Sequence, residues 1–269
     1  MDAGLSYLGE ERWTNHKELT LHLSSALAEA FYSMGNFDMM QPHIDQILHR
    51  TDVEIGGKIR VYRTLILSLG AQERFGEAID TGIQALKELK VVRKLPKNAG
   101  LLSALNELRK TQSLLKSNSK PLEYLPELTD KTRINAMEIV YMMTTMMYIV
   151  NPNLFLIMFA KVVRWNIKYG VCQYSPHSFA TYGVIKCGVF GDMRGGYELG
   201  EEALALSERL CAKETESKTV FAFYAFIHHW SKYLRDAAAP LLFGYQVGLE
   251  TGDVEVRMVS CMMNYFTNH

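Results

Sequence analysis

Cysteine is sparse in this chain of 269 residues. Cys172, Cys187, Cys211 and Cys261 stand far apart, none forms a C-x-x-C pair, and no histidine sits at zinc-finger spacing from them. That excludes a cysteine-based zinc site. The expectation is four small apolar core residues in a reducing compartment. Excess charge is lacking too: 29 Lys and Arg balance 29 Asp and Glu, for a net charge of zero. A dedicated binder of nucleic acid or anionic membrane needs a basic excess, so neither class fits. No apolar leader is present, because Asp2, Glu10, Glu11 and Arg12 occupy the start, and the expected location is cytoplasmic.

Long hydrophobic runs are missing as well. The most apolar stretch, 136–163, is interrupted by Glu138 and by Asn151-Pro152-Asn153, and neither half reaches the roughly 20 apolar residues of a membrane span. Asn-Pro-Asn instead marks a boundary between two helices of a buried hairpin, with Pro152 in the first turn of the second and Asn151 as its cap. Catalytic motifs are absent. There is no G-x-x-x-x-G-K-[ST] loop, no H-E-x-x-H, no G-x-S-x-G, and no G-x-G-x-x-G after a strand; Gly56-Gly57-Lys58 and Gly195-Gly196 lack the spacing of a phosphate loop. The chain is therefore expected not to be an enzyme by itself, and no cofactor, metal or catalytic residue is assigned. No strand pattern stands out either.

What the sequence does have is a turn that recurs. Gly35-Asn36-Phe37, Gly191-Asp192-Met193 and Gly252-Asp253-Val254 each pair a glycine with Asn or Asp and then an apolar residue. Glycine suits the left-handed position that closes one helix. Asn or Asp suits the cap that opens the next, since its side-chain oxygen accepts a first-turn N–H. A chain that is 48% hydrophobic and 22% charged has ample material for a folded body.

Apolar spacing of three and four predicts helices over 15–34 (Leu19, Leu23, Leu27, Ala30, Phe31), 37–50 (Ile44, Ile47, Leu48, with Pro42 near the first turn), 53–71 and 75–89. Phe75 follows Phe37 by 38 residues, close to the period of about 34 in tetratricopeptide repeats and about 40 in looser helical repeats. Ala78, Gly82 and Ala85 leave room for a neighbouring helix. Further helices are predicted over 100–117, from the cap Thr129 or Asp130 to Val150, and over 153–169, 175–190, 195–213, 216–233, 237–251 and 253–269. The last has no cap or breaker, so the chain is expected to be cut inside a helix. The sum is an all-α, right-handed α-solenoid of antiparallel helix pairs, tetratricopeptide-like, with no significant sheet and about six pairs stabilised by stacking. It divides into N-terminal repeats (1–90), an irregular connector with one polar helix (91–130) and C-terminal repeats (131–269).

Four clusters invite a functional reading. His228-His229-Trp230 offers a metal ligand or proton carrier, but adjacent helical residues diverge by about 100°. The favoured alternative is a packing Trp230 with one buried and one solvated histidine. His43 and His49, with Asp45 four residues before His49, are expected to form a surface group. Met137, Met142, Met143, Met146, Met147 and Met158 could make a soft, adaptable surface; their spread around the helix favours a core. Lys87, Lys90, Arg93, Lys94 and Lys97 lack interleaved aromatics and read as a solvated connector near the helix stop Pro96.

Cys187-Gly188-Val189-Phe190-Gly191-Asp192, followed by Gly195-Gly196-Tyr197 and Gly200-Glu201-Glu202-Ala203-Leu204, resembles the helical-repeat region of very large multidomain predicted-ATPase signalling proteins. Residues 226–230, 244–253 and 5–13 are similar to the same region. The resemblance implies neighbours in the order serine/threonine-kinase-like domain, AAA ATPase, tetratricopeptide-like repeats, then often a GAF sensor and a histidine kinase. It carries over no catalytic residue, and His228 and His229 match a packing motif. It implies a scaffold for protein–protein interaction and signal relay, whose partners are proteins or neighbouring domains of the same polypeptide. The structural residues it rests on are Gly35, Asn36, Gly191, Asp192, Trp230, Gly252 and Asp253. The alternatives are a small-molecule sensor built on Phe221, Phe223, Tyr224, Phe226 and Trp230, or a gene fragment with no independent activity.

Overall fold

The computed structural model describes residues 2–92, 100–118 and 120–252. Among these, regular structure is helical throughout: fourteen α-helices, three short 3-10 turns and one isolated parallel bridge between Glu127 and Val171. In chain order the helices are α1 (Asp2–Tyr7), α2 (Arg12–Asn15), α3 (Lys17–Ser33), α4 (Phe37–Leu48), α5 (Ile55–Ala71), α6 (Phe75–Glu88) and α7 (Leu101–Ser117). After them come α8 (Lys131–Met142), α9 (Thr144–Val150), α10 (Pro152–Tyr169), α11 (Ser175–Phe190), α12 (Met193–Arg209), α13 (Lys213–Phe226) and α14 (Ala238–Thr251). By compactness the chain divides into Met1–Leu95 with Glu138–Pro152, and Pro96–Met137 with Asn153–His269.

In the first unit α3 packs on α4 and α5, and α5 on α6. Met40, Ile44 and Ile47 of α4 meet Leu27, Ala28 and Phe31 of α3 and Val61 of α5 in one buried cluster. Each of the larger side chains contributes about 1.5–3 kcal/mol by leaving water, and Ala28 less. Two glycines set the close approach of the methionine-rich segment. Met146 fills the space a Cβ on Gly70 would take, and Met143 the space beside Gly82. Glu29 of α3 joins α5 through two parallel hydrogen bonds from Arg60, at 2.7 and 2.5 Å. The single helix expected from residue 130 to 150 is in fact two, α8 and α9, parted at Met143. The Thr144 hydroxyl there donates to the Tyr141 carbonyl at 2.7 Å, a local bond that competes with the helix ladder.

The second unit is built on α11, which is buried on nearly every side and packs against α12 and α13. Gly183 and Gly196 make the α11–α12 approach possible, since a Cβ on Gly183 would stand 2.9 Å from the Gly196 carbonyl oxygen. The bend before α11 is locked by a buried polar network. Asn166 donates to the Ser178 hydroxyl at 2.8 Å, Ser175 donates to Asn166 at 2.6 Å, and Cys172 N–H donates to Ser175 at 2.7 Å. Gly170 takes φ +109°, where a side chain would meet the Pro126 carbonyl oxygen at 2.6 Å.

Three further expectations need correction. The helix predicted over 216–233 ends at Phe226, because Ile227 leaves helical geometry (φ −117°, ψ −47°) and the chain passes into 3-10 turns at His228–Trp230 and Leu234–Ala237. Residue 195 does not open a helix and residue 213 does not close one: α12 spans Met193–Arg209. Cys211 is exposed and left-handed, not a core residue; Cys172 and Cys187 are buried. Cys261 and the helix expected over 253–269 lie outside the described residues.

Candidate functional site

Two features stand out: a turn that is repeated, and a histidine held among aromatic rings. Gly35 (φ +69°) and Gly191 (φ +66°) are left-handed, as is Gly252 (φ +73°) at the end of α14. Asn36 accepts the Met39 N–H at 3.2 Å and Asp192 accepts the Gly195 N–H at 2.9 Å, so each caps the helix that follows. Asp253 lies outside the described residues. The Asp192 carboxyl is held below its ordinary range, first by the Gly195 N–H and then by Lys186 at 3.2 Å.

The same turn occurs twice more without glycine or a capping side chain. Glu73 (φ +60°) precedes Arg74 (φ −83°, ψ 53°), and Cys211 (φ +48°) precedes Ala212 (φ −80°, ψ 54°). Their backbone matches Asn36 (φ −94°, ψ 77°) and Asp192 (φ −89°, ψ 73°). At three of the four turns, the residue after the left-handed one donates back to the carbonyl five earlier. Asn36 reaches Phe31 at 2.9 Å, Arg74 reaches Leu69 at 2.9 Å, and Ala212 reaches Ser207 at 3.1 Å. That is the paired closure of a Schellman helix end. Residue type gives no hint of the Glu73 and Cys211 turns; only the break in apolar periodicity marks the first.

The second feature lies where α13 ends. His228 is 7% exposed, and neither ring nitrogen has a hydrogen-bond partner among the described residues. Its ring centre stands 5.1 Å from that of Tyr224, 5.9 Å from Phe223 and 6.2 Å from Tyr197. Burial lowers its pKa, with Lys232 adding to the shift and Asp236 and the Tyr233 main chain opposing it. His229 is exposed and lies beside Trp230 with the rings tilted by 39°, centroids 4.8 Å apart. Trp230 is itself 54% exposed. The packing role expected of it is therefore corrected: the chain turns at Ile227, which sends His228 inward and the tryptophan out. Of the aromatic set read from the sequence, Phe223 and Tyr224 meet at His228, while Phe221 and Phe226 pack edge to face, 5.4 Å apart.

The other clusters are structural. All six methionines of the sequence cluster are buried. His49 Nδ1 lies 2.7 Å from the Asp45 backbone carbonyl, and His43 stacks on Phe31 at 5.8 Å. Lys87 and Lys90 are exposed; Arg93, Lys94, Pro96 and Lys97 lie outside the described residues. A cleft of about 150 Å³ is lined by Asn118, Lys120, Leu122, Lys186, Glu198 and Glu202. Its charges largely satisfy protein groups: Glu202 accepts the Leu122 N–H at 3.0 Å, Lys186 pairs with Asp192, and Arg194 pairs with Glu198 at 2.8 Å. Among the described residues no three His, Cys, Asp or Glu side chains converge to hold a metal. None of the described helices is long and apolar enough to cross a membrane.

No protein-family model matches the chain, and no solved structure matches it. It is similar to the hybrid signal transduction histidine kinase G of Dictyostelium discoideum, 20% identical over 265 residues, which takes in 90% of this chain. The chain spans 8% of that protein's length.

Proposed function

We propose that this chain is a non-catalytic helical-repeat scaffold that relays signals through protein–protein contact, as a right-handed α-solenoid of antiparallel, tetratricopeptide-like pairs. The observation that carries the reading is the fourfold recurrence of one helix-to-helix turn, at residues 35, 73, 191 and 211. A chain that keeps rebuilding one hairpin, even through side chains that resist it, is adding units to a stack, and stacked units present extended recognition surfaces. Similarity to a signal-transduction histidine kinase supports the relay role, and the partners we propose are proteins or neighbouring domains of one cytoplasmic polypeptide.

The test has two arms. The purified chain is expected to show no turnover of ATP and no phosphoryl transfer. In the cell of origin, deleting the coding sequence for residues 1–269 is expected to alter signal-dependent protein phosphorylation and to remove defined cross-linked partners. Turnover by the chain, or unchanged phosphorylation and partners after deletion, overturns the reading. The unpartnered imidazole among Phe223, Tyr224 and Tyr197 favours a second reading, a small-molecule sensor. A discrete ligand in the native mass spectrum, lost from His228→Phe, would select it.

A further inference from the structure

We propose that His228 is a protonation-operated latch, which holds residues 228–237 against the α12–α13 hairpin and releases them on acidification. The mechanical argument is one of anchorage. Ile227 and Ala237 are fully buried, and of the nine residues between them only His228 is buried; 229–236 are all exposed. The His228 carbonyl also accepts the Ser231 and Lys232 N–H groups, both at 3.0 Å, so the fold of the turn depends on where this residue sits.

The chemical argument is one of missing partners. A buried imidazole nitrogen ordinarily finds a hydrogen bond, and leaving one unmet costs free energy. Here neither nitrogen meets a partner at hydrogen-bond geometry; three aromatic rings surround the imidazole, and the Tyr233 main chain is the polar group nearest in effect. Such a site tolerates the neutral ring and resists the charged one. The surrounding groups do not reverse this. From α12 comes Tyr197, whose hydroxyl is engaged with Glu201; from α13 come Phe223 and Tyr224. Its own turn supplies Lys232 and His229, both unfavourable to a second positive charge, and the Tyr233 main chain; the next turn supplies Asp236. Asp236 is exposed with the rest of 229–236, so it follows a protonated His228 outward at no cost in burial. The turn at Leu234–Ala237 packs on α14, which carries the exposed side chains of Leu242, Phe243 and Leu249. The inference does not depend on the scaffold reading.

Hydrogen exchange on the full chain tests it, corrected for the intrinsic pH dependence of amide exchange. Protection of residues 228–237 is expected to fall by roughly tenfold per pH unit below about pH 6.5, as one linked proton requires, with α12 and α13 unchanged. His228→Phe keeps a ring in the cage and is expected to flatten the dependence. A wild type with no such dependence, or a variant that retains it, overturns the proposal. Should the variant unfold, the ring titration of His228 followed by NMR decides: a pKa below the ordinary value of about 6.5 is required, and one at or above it overturns the latch.

Discussion

Gly196 backs directly onto Cys187. A Cβ added to the glycine would run into the buried Sγ and stand 2.8 Å from the Gly183 carbonyl oxygen. Neither neighbour can yield, since one is core and the other main chain. Gly196→Ala is therefore expected to lower stability by about 1–3 kcal/mol, the usual range for overpacking. Gly188, also in α11, meets nothing within 4 Å, so Gly188→Ala gains helix propensity freely and is expected to raise stability by about 1 kcal/mol. Urea denaturation of the two variants reads both signs; a neutral Gly196→Ala would show that the two helices separate easily.

Glu73 and Cys211 carry the strain that glycine relieves at the matching turns. A left-handed conformation costs an L-residue roughly 1–2 kcal/mol, and glycine returns part of this as chain entropy. Glu73→Gly and Cys211→Gly are each expected to stabilise by about 0.5–1 kcal/mol, measured as a rise in denaturation midpoint. The same change at Gln72, whose φ is −88°, is expected to destabilise. Destabilisation by both glycine variants would contradict the shared backbone of the four turns.

These turns also mark how far the sequence could be read. The two with Gly-Asn and Gly-Asp are legible, because both residue types have a backbone meaning of their own. The Glu73-Arg74 turn is legible only as the break between the helices expected over 53–71 and 75–89, and the Cys211-Ala212 turn is missed, since a helix is expected to run through it to 213; neither pair carries a residue type with a backbone meaning of its own. The helical character of the chain was open to reading from apolar spacing, including the start of α10 at Pro152. The end of α13 was hidden: Phe-Ile-His-His-Trp contains no breaker, and the reason to turn there is burial of Ile227 and His228. For the same reason Trp230, the bulkiest side chain of its segment, looked like a packing residue and is exposed. Nothing in the residue types reveals an imidazole without hydrogen-bond partners, which is a fact about its neighbours.

The capping side chains at the legible turns should be unequal. Asn36 supplies one hydrogen bond, to the Met39 N–H. Asp192 caps Gly195 and also pairs with Lys186, whose Nζ fills the space above Gly195. Asn36→Ala is expected to cost about 1 kcal/mol. Asp192→Ala should exceed it by a few tenths, the worth of a partly exposed ion pair, and that excess should vanish in 1 M salt. An excess that survives high salt would assign the difference to packing.

Acid should weaken the fold in two separable stages. His177 is buried between Phe159 and Thr181, and burial, assisted by Lys218, pushes its pKa down to about 3. A depressed histidine means that the unfolded chain takes up a proton near its ordinary pKa of about 6.5 while the native state refuses it. Stability is thus full above that value and falls by about 1.4 kcal/mol per pH unit beneath it, until the native ring titrates near 3. The carboxylates act later. Glu29, hydrogen-bonded by Arg60, is held below its ordinary range; Glu107 is pushed up by burial but ends lowered, through Lys110 and Arg164. Their contribution persists above the ordinary carboxylate pKa of about 4.3 and disappears as pH drops through the native value. Denaturation midpoints between pH 7 and 5 therefore isolate the histidines. His177→Gln should reduce the slope from about pH 6.5 down to about pH 3, including the range between pH 7 and 5 where the carboxylates are silent, whereas Glu29→Gln should leave the slope between pH 7 and 5 unchanged and reduce the loss at lower pH. A His177→Gln slope equal to wild type would mean that the ring is already protonated, or solvated, in the native state.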